Sequence, residues 1–200
     1  MRVEWPYLHV GRFGSLAVFR YTAAMQEKNN WYVLTGGPCA GKTTLIREFE
    51  ADGIPVVHES ARVVIDRGFA EGKTLEEIRA DGAAFSAAII ALDTENLSRH
   101  AGTEKVFFDR SILDNIAYHR ILGFEPSAEL LAAAERAPFK KVFLLDLLDY
   151  QLDDARNETP EEAARIHDAL EVAYRDYGVP IVKVPVLPVP ERVEFVLANL

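Results

Sequence analysis

The sequence predicts an α/β fold in three layers, with a five-stranded, mainly parallel sheet covered by helices on both faces. Short apolar segments typical of buried strands alternate along the chain with segments of helical periodicity. A glycine-rich loop joins the first strand to the first helix. Ligands of open parallel sheets bind beyond the carboxyl ends of the strands. We therefore expect the functional site at that edge of the sheet.

Five segments rich in aliphatic, β-branched and aromatic residues are predicted as strands. They are residues 31–35, 54–58, 105–109, 141–145 and 181–184. Segments of continuous apolar character suit a parallel sheet, because its strands are buried on both faces.

Helices are predicted between these strands from capping residues and apolar spacing. They cover residues 44–50, ended by Asp52-Gly53; 60–68; a region from the Thr74–Glu77 capping box to about His100, with interruptions; 111–122, stopped at Gly123; 127–135; 159–177, begun by Thr159-Pro160; and a short last helix from Pro190.

The glycine-rich loop fits G-x-x-x-x-G-K-[ST] at every required position. Its residues are Gly36, Gly37, Pro38, Cys39, Ala40, Gly41, Lys42, Thr43 and Thr44. Glycines let backbone N–H groups surround a polyphosphate, and the next helix points its N-terminus at the same anion. Lys42 is predicted to contact the β- and γ-phosphates, and the Thr43 hydroxyl to bind Mg²⁺. The loop therefore predicts a nucleoside triphosphate site.

Two aspartates compete for the role of second metal-site acid. Asp109 ends the predicted strand at 105–109, and Asp146 follows the strand at 141–145. If Asp146 does not have that role, it is a capping residue or a solvated residue in a turn.

Glu59 and Arg62 lie at the end of the second strand and one turn into the following helix. A carboxylate there is suited to accept a proton from an attacking hydroxyl or to hold a sugar hydroxyl. An arginine there is suited to bind an anionic acceptor. The alternative is a helix-start acid that binds free amides, with Arg62 in a surface ion pair.

The net charge of −9 argues against general nucleic-acid binding, which requires a basic surface. No apolar run approaches the roughly 18 residues of a membrane span. The single cysteine, Cys39, rules out an internal disulfide and suits a reducing compartment. We expect a cytoplasmic protein that acts as a monomer or homodimer.

Residues 1–30 differ from the rest of the chain, because they carry a net charge of +2 and leave −11 for the remainder. They have no clear helical repeat and no uninterrupted apolar core followed by a cleavage site. We interpret them as an extension outside the domain at 31–200. An upstream start codon is one explanation, since Met25 lies just before the first strand.

Over residues 31–200 the chain resembles the AAA-type ATPase domain family related to the ribosylnicotinamide kinase domain. The resemblance rests on the segments at 35–44, His58-Glu59-Ser60-Ala61-Arg62, Phe107-Phe108-Asp109-Arg110, Asp154-Ala155-Arg156 and 173–178. A ring-forming mechanical ATPase is disfavoured, because little chain is left for a helical subdomain after the core.

The resemblance to compact P-loop kinases favours Asp109 over Asp146. In those kinases the third strand lies beside the P-loop strand, and the fourth lies on its other side and leads to a lid. The Asp109-Arg110 pair resembles a substrate-site element of thymidylate and deoxynucleoside kinases. By the same resemblance Arg156 belongs to the lid and stabilises the transferred phosphoryl group, and Arg165 is a second candidate.

These residues predict an ATP- and Mg²⁺-dependent kinase that transfers the γ-phosphoryl group to a nucleoside-like or other small-molecule acceptor. The alternative is a nucleotide-dependent switch with slow hydrolysis and a protein or lipid partner. The sequence lacks the Asn-Lys-x-Asp tetrapeptide that usually accompanies guanine specificity, which favours ATP over GTP.

Overall fold

A fully parallel sheet forms the centre of the molecule in the computed structural model, which describes residues 30–100, 104–148 and 159–200. Its strands are β1 (Trp31–Thr35), β2 (Val56–Val57), β3 (Val106–Asp109), β4 (Lys141–Leu145) and β5 (Ile181–Val184). Their spatial order is β2-β3-β1-β4-β5, and every neighbouring pair is parallel. The predicted α/β class is confirmed, with β3 and β4 on opposite sides of β1.

Eight helices are present in the described parts of the chain. They are α1 (Lys42–Ala51), α2 (Ser60–Ala70), α3 (Leu75–Arg79), α4 (Gly82–Arg99), α5 (Ile112–Leu122), α6 (Ala128–Glu135), α7 (Pro160–Asp176) and α8 (Val189–Ala198).

Strand β1 is buried along its whole length because both of its faces are covered. Its side chains alternate between two hydrophobic clusters, as the period of a strand requires. Trp31 and Val33 belong to one cluster, and Tyr32 and Leu34 belong to the other. The continuous apolar character of this strand thus follows from helices on both sides of the sheet.

The predicted helix starts are confirmed at their capping residues. Thr74 and Thr159 each form a complete capping box with the glutamate three positions later. Ser111 forms one with Asp114, and Ser127 Oγ accepts a hydrogen bond from the Leu130 N–H. These side chains bind N–H groups that the first helical turn leaves without partners.

The second strand is shorter than the predicted span of residues 54–58. Only Val56–Val57 form a ladder, which runs along β3 at the edge of the sheet. Pro55 has no N–H to donate, so its carbonyl alone bonds to the Phe107 N–H. Glu59 already forms the cap of α2, which leaves little chain for strand pairing.

Residues 1–29 lie outside the described part of the chain, so the division between an extension and a domain at 31–200 stays a prediction. Among the described helices, none combines the length and the apolar character needed to cross a membrane.

Candidate functional site

The glycine-rich loop turns directly from β1 into α1. Gly36 has φ +151°, and a Cβ there would lie 2.7 Å from the Leu145 carbonyl oxygen. Both facts require glycine, because the backbone conformation is rare for other residues and the space is filled by β4. Gly41, with φ +81°, is the N-cap of α1. The loop thus has the tight form that brings backbone N–H groups near an anion.

Lys42 lies across the loop that precedes it. Its Nζ donates hydrogen bonds to the carbonyl oxygens of Gly36 at 2.8 Å and Gly37 at 2.9 Å. Burial and the nearby Arg110 lower the pKa of Lys42 to about 7, although the charge of Asp109 opposes this. The Lys42 Nζ thus lies against the first two residues of the glycine-rich loop.

Asp109 ends β3, directly opposite Leu34 of β1. Its Oδ1 is buried and has no hydrogen-bond partner among the described residues. Burial, then the charge of Glu59, raise the pKa of Asp109 to about 6, against the opposing charges of Arg110 and Lys42. A buried carboxylate oxygen without a partner fits a hard cation, which would supply the missing positive charge.

The described residues contain no group of three or more His, Cys, Asp or Glu side chains that would hold a metal ion by themselves. Mg²⁺ does not require such a group, because it usually binds through one or two protein oxygens together with phosphates and water. Thr43 lies exposed in the first turn of α1, and Asp109 ends the strand beside β1.

Asp146, the competing acid, lies on the other side of β1, after β4. Its backbone N–H donates to the Val184 carbonyl, and its own carbonyl accepts from Arg192. Its negative charge partly offsets the burial that lowers the pKa of His167. The structure thus groups Asp109, and not Asp146, with Glu59, Arg110 and Lys42.

Arg110 connects the ends of β2 and β3. Its Nε lies 3.1 Å from Glu59 Oε1, and its guanidinium carbon lies 5.4 Å from the centroid of the Tyr118 ring. The residue has φ +64°, a left-handed conformation that costs about 1–3 kcal/mol outside glycine. Its N–H donates to the Leu34 carbonyl, which holds the turn in this conformation. The pair of Glu59 and Arg110 is thus fixed at the edge of the sheet where the glycine-rich loop begins.

A buried polar network behind this pair was not predicted from the sequence. Asp114 is 2% exposed and accepts hydrogen bonds from Thr35 Oγ1, the Ser111 N–H and Tyr174 Oη. One of its oxygens also lies 3.3 Å from a terminal nitrogen of Arg110. The network thereby joins the end of β1, the start of α5 and the last turn of helix α7.

The serine-initiated capping box of α5 is the sequence signal that marks Asp114. Its partner Tyr174 lies 60 positions further along the chain, beyond the reach of any local pattern. Burial and the Asp114 carboxylate raise the pKa of Tyr174 well above its ordinary value, so this hydroxyl remains a donor.

The other predicted site residues have different surroundings. Arg62 pairs with Asp66 on the exposed side of α2, at 3.1 Å, which is the surface ion pair given above as its alternative role. Arg165 is exposed on α7. Arg156 lies outside the described residues, so its predicted role in a lid stays a prediction.

The model of a protein family described as an AAA domain matches residues 31–192. This span covers most of the chain and includes the glycine-rich loop, Glu59 and the Asp109-Arg110 pair. A search of curated proteins found no match.

Solved structures of kinases share this fold. Deoxyadenosine kinase from M. mycoides, solved with dCMP and dCDP, matches with a TM-score of 0.57 at 14% identity, over 84% of this chain and 97% of that one. Thymidylate kinase from Ehrlichia chaffeensis matches with the same TM-score, identity and coverage.

The NadR protein, solved in complex with NAD and AMP-PNP, matches with a TM-score of 0.60 at 16% identity. That match covers 89% of this chain and 50% of the NadR chain, so this chain corresponds to about half of that protein. At such identities these likenesses show the fold alone.

Proposed function

The chain belongs to the AAA domain family, and from that premise we propose that it is a P-loop kinase that transfers the γ-phosphoryl group of ATP to a small-molecule acceptor. The acceptor class that we propose is a nucleoside, a nucleotide or a similar compound with a free hydroxyl or phosphate.

One observation supports this proposal above the others: a phosphate loop and an acid–arginine pair meet at the same edge of the sheet. Asp109 lies opposite Leu34, two residues before Gly36, and the adjacent Arg110 pairs with Glu59 at 3.1 Å. A protein that only binds nucleotide requires the loop and its lysine. A carboxylate paired with a largely buried arginine beside the loop is an additional feature, and it suits a transferase.

In this proposal the loop at 36–44 holds the phosphates of ATP through its backbone N–H groups. Lys42 leaves the carbonyls of Gly36 and Gly37 and binds the β- and γ-phosphates instead. Thr43 and Asp109 would hold Mg²⁺, which neutralises the charge that develops on the phosphates.

The acceptor side is assigned to Glu59 and Arg110. Glu59 is held through Oε1 by Arg110 and is partly exposed, with 33% of its side chain accessible. It takes the proton of the acceptor hydroxyl while that oxygen bonds to the γ-phosphorus, the bond to the bridging oxygen breaks and ADP leaves. Arg110 keeps the carboxylate in place and is suited to hold the acceptor. Arg62, which pairs with Asp66 on the surface, would leave that pair to bind an anionic acceptor. Arg156 is assigned to transition-state stabilisation.

The test is a screen of nucleosides, nucleotides and other hydroxylated metabolites for acceptor-dependent release of ADP. With the acceptor found, Glu59→Gln is expected to lower the transfer rate by about 10²–10⁴-fold, the usual range for a positioned general base. Its affinity for ADP is expected to stay unchanged, because Glu59 belongs to the acceptor side.

Glu50→Gln is the matched control, because this exposed glutamate pairs with His58 on the surface and lies outside the site. It is expected to retain full activity. If no acceptor is found and Glu59→Gln hydrolyses ATP at the wild-type rate, the kinase is rejected in favour of a nucleotide-dependent switch.

A further inference from the structure

We infer that Arg192, on the last helix, is a positioning residue that holds the phosphate loop in its binding shape. This inference rests on the nucleotide site proposed above but adds a residue to it that neither the loop motif nor the acid–arginine pair contains.

Arg192 is a charged residue in the interior, with 2% of its surface exposed. Its hydrogen bonds go to main-chain carbonyl oxygens: Nε to Pro185 at 2.9 Å, one terminal nitrogen to Ala40 at 2.8 Å, and the other to Asp146 at 3.1 Å. The acceptors belong to the phosphate loop and to the segments that follow β4 and β5. A planar guanidinium can bind all three segments at fixed angles, which an ammonium group cannot.

The bond to Ala40 sets the orientation of one peptide group in the loop. In a trans peptide the C=O of Ala40 and the N–H of Gly41 point in opposite directions. Because the carbonyl points at Arg192, the Gly41 N–H points away from it, at the start of α1. That N–H belongs to the group of free amides at a helix N-terminus that bind phosphate oxygens.

Gly41 itself lies directly against the guanidinium. A Cβ at this position would lie 3.0 Å from the same terminal nitrogen that bonds to Ala40. The arginine thus also places a buried positive charge beneath the loop, on the side opposite to an incoming anion. A buried charge next to an anion site is screened less by solvent than a surface charge.

A role limited to fixing α8 on the sheet is the competing explanation, and the test separates the two. Arg192→Lys keeps the charge and the aliphatic stem but removes the planar set of donors. Val196→Ala is the matched control: Val196 is fully buried on the same helix, and its truncation loosens the helix but removes no donor to the Ala40 carbonyl.

The measurements are the affinities for metal-free ADP and for tripolyphosphate by calorimetry, together with thermal melting. Arg192→Lys is expected to weaken both affinities by at least about tenfold, whereas Val196→Ala lowers the melting temperature and leaves both affinities within about twofold. In Arg192→Ala, millimolar guanidinium ion is expected to restore binding more than the same concentration of sodium ion. If Arg192→Ala does not fold, Arg192→Lys alone carries the comparison.

The outcomes distinguish this inference from the proposed function. If wild-type protein binds neither ADP nor tripolyphosphate, the nucleotide site fails and this inference fails with it. If wild-type protein binds both and Arg192→Lys binds them equally well, only the positioning role is overturned. The positioning role is also overturned if Arg192→Lys and Val196→Ala lose affinity in the same proportion to their falls in melting temperature. Arg192 then has a structural role only.

Discussion

Lys42 and Asp109 carry opposite charges at the same edge of the sheet, and each is held far from its ordinary titration range. Burial lowers the pKa of the lysine to about 7 and raises that of the aspartate to about 6. Buried groups with such values are common at functional sites, because the missing ligand supplies the countercharge. Here a polyphosphate would stabilise the charged lysine, and a cation the charged aspartate.

The pH dependence of nucleotide affinity follows from the lysine. Bound phosphates favour the charged form, so their binding takes up a proton once the free protein has lost it above about pH 7. The affinity for metal-free ADP is therefore expected to fall by up to about tenfold per pH unit above pH 7. Calorimetry between about pH 6 and about pH 9, in buffers of different ionisation enthalpy, measures both the affinity and the proton uptake.

Lys42→Arg is the control for this titration, because a guanidinium stays charged over the whole range. Its affinity for ADP is expected to change little above pH 7. A wild-type affinity that is equally flat would show that Lys42 does not titrate in this range.

Asp109 is expected to determine how strongly Mg²⁺ increases nucleotide affinity. Asp109→Asn removes the buried carboxylate that would bind Mg²⁺, so the gain in nucleotide affinity on adding Mg²⁺ is expected to shrink by at least about tenfold. Metal-free ADP should bind this variant at least as well as the wild type, since a negative charge near the phosphates is gone.

Asp146→Asn is the matched comparison, because this residue directly follows the neighbouring strand on the other side of β1. It is expected to keep the Mg²⁺ effect. If Asp146→Asn loses the Mg²⁺ effect and Asp109→Asn keeps it, the metal-site role belongs to Asp146.

At the scale of elements, α7 and α5 are joined through a buried contact between Tyr174 and Asp114. Asp114 also binds Thr35, the last residue before the glycine-rich loop, so one carboxylate connects two helices to the phosphate site. A buried carboxylate that loses a donor is costly, because no water replaces it. This network fixes how α7 sits above the loop.

Tyr174→Phe is expected to destabilise the protein by about 1–3 kcal/mol, the usual cost of a buried polar group left short of a partner. This corresponds to a fall in melting temperature of several degrees, about 2–4 °C per kcal/mol for a domain of this size. Circular dichroism during thermal and urea unfolding provides the measurement.

Tyr177→Phe removes a hydroxyl at the C-terminal cap of the same helix, outside the Asp114 network. Tyr177→Phe is expected to lower the free energy of unfolding by less than half as much as Tyr174→Phe. Equal losses for the two variants would mean that the Asp114 contact contributes no particular stability.

At the scale of the whole molecule, local sequence patterns were sufficient to predict the helices and strands. The order of the strands in the sheet could not be predicted from those patterns alone. Apolar segments predicted β1, β3, β4 and β5 almost to the residue, and capping residues predicted the helix starts. Both signals are local, because strand burial and the capping of free helix amides each depend on a few neighbouring residues. The position of β3 beside β1 was predicted from the resemblance to compact P-loop kinases. The short β2 departs from its prediction because Pro55 interrupts the ladder.

The candidate site was predictable only where its chemistry is contiguous in the chain. The loop, Lys42 and the Asp109-Arg110 pair stand next to each other in sequence or end a strand. Asp114, Tyr174 and Arg192 depend on partners that lie far away, 60 residues apart in one pair and 152 in another. Such contacts form only through tertiary packing, which no window of sequence contains.

The separation of Ala40 and Arg192 also has a consequence for the order in which the protein folds. Contacts between distant parts of a chain form late, because the chain loses the entropy of closing a long loop before the contact can compensate for that loss. During synthesis β1 and the phosphate loop leave the ribosome before β3 and β4, which later pair with β1 on its two sides. The arginine that bonds to the loop arrives 152 residues after Ala40. The nascent chain therefore carries its phosphate loop well before Arg192, which supports that loop, has been synthesised.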